Sequence, residues 1–188
     1  RMEGREISLQ EVMAFREEKA FHQAWMQQKK PGCVIISLGM NIPGPRKTAP
    51  PVRMAFFAGV QALEELLRQE KFSVCMAERL EKDSGFAALY AVSGSSGLEV
   101  KKKVLTIEES HPLGRLFDID VMDGEGRGIS RQETGFPPRK CLICDKDAKV
   151  CGRSRAHTVQ ELEEAVLAVI QKYDGTSACR NRAQTAET

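Results

Sequence analysis

With 188 residues the chain has the length of one domain and can bury a real core. Hydrophobic residues make up 41% and charged residues 29%, as in an ordinary soluble globule, and a net charge of +2 is too small to argue for a nucleic-acid or membrane partner. No apolar run approaches the roughly 18–20 residues that span a bilayer, and Arg1-Met2-Glu3-Gly4-Arg5-Glu6 has no secretory apolar stretch, which places the six cysteines in the cytoplasm as thiols or metal ligands.

In chain order, Ser8-Leu9-Gln10-Glu11 is a capping box that opens a helix to about Gln28. Cys33 to Leu38 is short, apolar and β-branched, the pattern of a buried strand. A loop of two prolines around a glycine then presents Arg46 and Lys47 ahead of a helix from Val52 to Gln69. On that helix Val52, Ala55, Phe56, Gly59, Val60, Leu63, Leu66 and Leu67 share one face. Ser73–Ala77 and Phe86–Val92 read as strands joined by the turn Lys82-Asp83-Ser84-Gly85. Ser96 opens a further helix to Glu109, and Leu116–Met122 alternates as a strand before the turn Asp123-Gly124-Glu125-Gly126 and a return strand. A second capping box, Thr158-Val159-Gln160-Glu161, starts a last helix that should end near Asp174-Gly175, followed by a polar, disordered tail over 176–188. The expected fold class is α/β (α+β): a small mixed sheet packed with amphipathic helices, with a nucleotidyltransferase-like form as one version, in a single domain over 1–175.

The most informative segment is His111 to Val121. Strand side chains alternate, so Phe117, Ile119 and Val121 enter a core while Asp118 and Asp120 share the opposite face, roughly 6.5–7 Å apart at Cα. Two such carboxylates can grip one Mg²⁺, which takes oxygen ligands and keeps positions for substrate phosphates. The competing reading is a solvated strand face. Gly114, which lets a phosphate approach backbone, and Arg115, which can bind one bidentately, favour the metal site. Arg46 and Lys47 stand before a helix N-terminus, a place suited to phosphate.

Cys141, Cys144, Cys151 and His157 have the spacing C-x2-C-x6-C-x5-H. They could hold a tetrahedral structural zinc, or the thiols could be buried as small hydrophobes. Around them Arg139, Lys140, Lys146, Lys149, Arg153 and Arg155 outnumber Asp145 and Asp147, which suits a polyanionic ligand, with Arg153-Ser154-Arg155 read as leading into a helix.

Leu38–Lys47 (LGMNIPGPRK), His111–Val121 (HPLGRLFDIDV) and Pro138–His157 (PRKCLICDKDAKVCGRSRAH), in this order and spacing, resemble the phosphoribosyl-dephospho-CoA transferases that mature the citrate lyase carrier protein. The likeness extends over roughly residues 5 to 173. It implies a nucleotidyltransferase, a citrate lyase holo-acyl-carrier-protein synthase that moves the prosthetic group from 2'-(5''-triphosphoribosyl)-3'-dephospho-CoA to a serine of the acyl carrier (gamma) subunit and releases pyrophosphate. It assigns Asp118 and Asp120 to Mg²⁺, Arg115 to the catalytic site, and Lys47, Arg46, Arg139, Arg153 and Arg155 to substrate phosphates, with no nucleic-acid or membrane partner. The alternatives are the equivalent synthase for a malonate decarboxylase carrier and a zinc-stabilised basic binding module. The module would need aromatics among its cations, and 139–155 has none.

Overall fold

A computed structural model describes the backbone of residues 2–185 and the side chains of residues 2–174. Helix α1 (Leu9–Lys29) begins on the expected capping box, with the Glu11 amide donating to Ser8 Oγ and the Ser8 amide to Glu11 Oε2. Strand β1 (Val34–Met40) follows, then α2 (Pro50–Gln69), whose first turn takes the two prolines where no amide partner is lost. The hairpin β2 (Ser73–Lys82) and β3 (Gly85–Ser93) closes through Asp83-Ser84, as the turn residues predict. Helix α3 (Gly97–Ser110) is capped by Ser96, and a 3-10 turn at Gly114–Leu116 delivers the chain into β4 (Phe117–Met122). A short helix α4 (Ala148–Ser154) and the long α5 (Val159–Thr185) complete the chain.

The α+β class is the one expected. The four strands run in the order β2-β3-β1-β4, and every neighbouring pair is antiparallel, so the sheet is not mixed. After the turn at 123–126 the expected return strand reduces to a single bridge between Met122 and Gly128. Helix α5 continues past Asp174-Gly175 to Thr185; residues 186–188 of the expected tail, and all side chains from 175 onward, lie outside the described residues.

The two faces of the sheet are covered differently. Ile36, Leu38, Phe86, Ala88, Phe117, Ile119 and Val121 form the main core with α2, α3 and α5. The other face carries a smaller cluster, Ile35, Ala87, Leu89 and Ala91, under Met26 and Trp25 of α1. Helix α1 packs over β1 and β3 and reaches β4 chiefly through Lys19. Gly114 is needed for packing: a Cβ there would lie 2.4 Å from the carbonyl oxygen of Glu108, so only glycine lets the turn before β4 close against α3. That packing alone accounts for a glycine at this position.

Candidate active site

Alternation on β4 works as read: Phe117, Ile119 and Val121 are buried, and Asp118 and Asp120 project together from the opposite face. The strand is the sheet's edge, so its outward carbonyls need partners. Lys101 Nζ, buried beneath the edge, donates to Ile119 O at 2.6 Å, and Arg139 Nη2 donates to Phe117 O. On the inner side the register sets Gly39 opposite Asp118 and Ser37 opposite Asp120. Ser37 is fully buried and its Oγ has no hydrogen-bond partner, while Gly39 leaves the space beside Asp118 free of a side chain.

Asp118 keeps contact with solvent yet sits in a crowded cleft, and that desolvation, with the Asp120 charge next to it, raises its pKa above the ordinary aspartate range. Lys19 of α1 reaches over the pair, its Nζ 3.5 Å from Asp120 Oδ2. Two adjacent carboxylates form an oxygen donor set of the kind Mg²⁺ prefers, so these residues fit such an ion.

Asp118 lies between two clefts of about 340 Å³ each. The first runs along the β4 edge. It is lined by four cations, Lys101, Arg131, Arg139 and Lys149, against four carboxylates, Glu108, Asp118, Asp120 and Asp147. Most of this charge is already matched: Arg139 contacts Glu108, and Arg131 lies 3.8 Å from Glu108 and bonds Glu109. The second cleft lies between α1 and the loop after β1, with Arg16, Lys19 and Lys47 against Asp118 alone. Burial, and then the nearby charge of Arg16, lowers the Lys47 pKa.

Glu108 is buried, and burial pushes its carboxyl up to about 7 despite Arg139, Lys101 and Arg131 around it. The folded value stands above the ordinary 4.5, so the stability this group contributes is full below about 4.5 and is lost as pH rises through about 7. Comparing melting temperatures of wild type and Glu108→Gln across that window is expected to show the wild type losing on the order of 1–3 kcal/mol relative to the variant as pH rises. A constant difference between the two would refute the assignment.

The remaining sequence candidates are placed as follows. Lys47 lines the second cleft, bonded to Ile42 O, and Arg139 forms part of the wall of the first. Arg115 donates to Lys140 O and so fastens the 139–147 loop to the turn before β4. Arg46 is held by Glu6 and by Glu163 at 3.2 Å, away from the aspartates. Arg153 lies exposed in the last turn of α4, so it does not lead into α5 as read. Arg155 caps α4 in the left-handed conformation and lines a separate cavity with Leu142, Val159 and Leu162. Arg16, Lys19, Lys101, Glu108 and Arg131 escaped the sequence reading. Arg16 and Lys19 lie on an element remote in sequence from β4, Lys101 and Glu108 on the helix before it and Arg131 in the loop after it, and no local motif marks any of them.

The four Cys/His residues do converge. Their ligand atoms all lie within 4.8 Å of one another, with Cys144 Sγ 3.5 Å from Cys151 Sγ and 3.4 Å from His157 Nε2. A tetrahedral zinc with Zn–S near 2.3 Å and Zn–N near 2.0–2.1 Å has edges of roughly 3.5–3.8 Å, so these separations match. A tight loop makes the site: the Cys141 amide donates to Lys146 O, and the Ile143 amide points at Cys141 Sγ. Burial opposes ionisation of the Cys141 thiol, but amide bonds from Cys144 and Ile143 and the neighbouring thiols bring it down to about 6, the range of a ready metal ligand.

An antiparallel sheet that offers paired carboxylates at its edge, between clefts that contain cations, fits a nucleotidyltransferase-type enzyme. Residues 7–173 match the family of apo-citrate lyase phosphoribosyl-dephospho-CoA transferases. The chain is 36% identical over 173 residues to a probable apo-citrate lyase phosphoribosyl-dephospho-CoA transferase of Streptococcus pyogenes serotype M18, covering 90% of this chain and 88% of that protein. A protein of the same name from Vibrio cholerae serotype O1 is 33% identical over 174 residues, with 92% and 94% covered. The chain belongs to the apo-citrate lyase phosphoribosyl-dephospho-CoA transferase family. No helix among the described residues is long and apolar enough to cross a membrane.

Proposed function

We propose that this protein, acting in the cytoplasm as one transferase domain over 1–175, moves the phosphoribosyl-dephospho-CoA group from 2'-(5''-triphosphoribosyl)-3'-dephospho-CoA to a serine of the citrate lyase acyl carrier (gamma) subunit. The observation that carries the reading is the Asp118–Asp120 pair on the edge strand β4, with a cleft that contains cations on either side. The serine oxygen bonds to the innermost phosphorus of the triphosphate, the bond from that phosphorus to the next bridging oxygen breaks, and pyrophosphate departs with the electron pair while the serine proton passes to solvent water. Asp118 and Asp120 would hold Mg²⁺, which when bound polarises phosphate oxygens and offsets the charge on the departing group. Lys149 and Arg139 line the groove on one side of the pair and are suited to the phosphates and ribose of the coenzyme body. Cys141, Cys144, Cys151 and His157 would hold a structural zinc that keeps the wall of that groove in place.

Incubating the protein with apo carrier subunit, the triphosphoribosyl donor and Mg²⁺, then weighing the carrier by mass spectrometry, tests the reading. The carrier should gain one phosphoribosyl-dephospho-CoA group, with an equal amount of pyrophosphate in solution. A carrier of unchanged mass, with folded enzyme and intact donor present, refutes it.

A further inference from the structure

The cleft between α1 and the loop after β1 has a charge the rest of the site lacks. Its cations come from two remote segments, Arg16 and Lys19 on α1 and Lys47 after the proline-glycine turn; Asp118 is the one carboxylate among its lining residues, and Lys19 also pairs with Asp120 at 3.5 Å. Among the described residues Arg16 forms no ion pair or hydrogen bond, and Lys47 bonds only to the carbonyl of Ile42. Like charges brought together in a partly closed space repel one another and attract a polyanion. Asn41 lines the same cleft and adds an amide that can donate. Gly39, on the cleft floor opposite Asp118, leaves space there: a Cβ at that position would meet nothing nearer than 3.8 Å.

The neighbouring groove along the β4 edge is a poorer seat for concentrated negative charge. Its four cations face four carboxylates, Arg139 and Arg131 are engaged by Glu108 and Glu109, and Lys101 is taken by Ile119 O. In a transfer from a triphosphate the most highly charged fragment is the one that leaves. We propose that Arg16, Lys19 and Lys47 form the subsite for the pyrophosphate leaving group, on the side of Asp118 opposite the groove that takes the coenzyme body. The inference rests on the transferase reading above. It divides the site into two: the chain between the inner and middle phosphates breaks at Asp118, the outer two phosphates stay in the α1 cleft, and the phosphoribosyl part remains on the β4 side to be joined to the serine. Lys19, 3.5 Å from Asp120, then exchanges a carboxylate partner for a phosphate oxygen when substrate enters.

The probe is inorganic pyrophosphate with Mg²⁺, titrated into the full-length protein by calorimetry and also used as an inhibitor of carrier modification. Arg16 is exposed on α1, so Arg16→Ala is expected to stay folded, which its circular dichroism and melting curve verify. The variant should bind pyrophosphate about tenfold or more weakly and raise its inhibition constant in step, with Arg16→Lys recovering part of both. Lys149→Ala, in the other groove, should leave pyrophosphate affinity within about twofold of wild type while raising the KM for the donor. Equal pyrophosphate affinity in wild type and Arg16→Ala, with a wild type that modifies the carrier normally, overturns the subsite. A wild type that leaves the carrier unmodified yet binds pyrophosphate through Arg16 overturns the substrate reading and keeps the subsite.

Discussion

Asp118→Asn is expected to abolish carrier modification while making the protein more stable at neutral pH. The two effects have one cause. Asp118 carries a charge in a crowded cleft beside Asp120, and both circumstances raise its pKa, desolvation more than its neighbour. The sign follows from linkage. A carboxyl whose folded value lies above its unfolded value is favourable to the fold while protonated and unfavourable once ionised, so stability is lost as pH rises from the ordinary aspartate range through the raised value. The side chain keeps solvent contact, which screens the penalty, so the gain in melting temperature from Asn should be modest, on the order of 1–3 °C. No hydrogen bond among the described residues depends on the Asp118 carboxylate, so the amide costs the fold nothing.

Transfer should fall by about 10³-fold or more, because one of two carboxylates suited to the divalent ion is gone. A third readout separates this from a charge effect: Mg²⁺ should raise the melting temperature of wild type and leave Asp118→Asn unmoved. Retained turnover in the variant removes Asp118 from the metal site. A lower melting temperature would mean that the carboxylate supports the fold, contrary to its position.

How far this site could be read in advance depends on where its information lies. The period-2 pattern of Phe117 to Val121 contains its own orientation, since three apolar residues that must be buried force two aspartates to the other face. The face of α2 was legible for the same reason, and its predicted stripe is buried apart from Leu66, which is only partly covered. Arg16 and Lys19 belong to the opposite case. On a helix that buries only Met26 fully, they look like any solvated charge, and their meaning comes from the sheet that brings α1 over β1. Glu108 was hidden similarly, one of two adjacent glutamates on a helix whose buried side reaches further than its apolar residues. Gly114 is the converse case: a glycine beside candidate phosphate ligands invites a functional account, and backbone contact with α3 supplies a packing reason the sequence did not reveal. Helix α4 is too short, and too interrupted by Gly152, to leave a periodic signal.

Protein purified without chelator is expected to carry one zinc per chain, and Cys144→Ser to lower that to near zero. Cys144 is the appropriate choice because it is the ligand that approaches both Cys151 and His157, within 3.5 Å and 3.4 Å. Four protein ligands complete a tetrahedron and leave no position for substrate, so the ion would be structural. Its loss should nonetheless reach the reaction. The loop from Lys140 to Asp147 and the helix that follows are short and hold few buried apolar groups besides Cys141 and Cys151, so the metal would supply much of what orders them. The same segment carries Arg139, Asp147 and Lys149 into the wall of the groove beside Asp118. Stripping the zinc should therefore abolish hydrogen-exchange protection over 139–157, lower the melting temperature, and raise the KM for the donor, while pyrophosphate affinity in the α1 cleft stays near its original value. Cobalt offers an independent check, since a tetrahedral thiolate site gives it intense visible bands that Cys144→Ser should remove. Metal-free protein with reduced thiols, normal turnover and full exchange protection in this segment would show that packing of the sulfurs alone holds the groove wall.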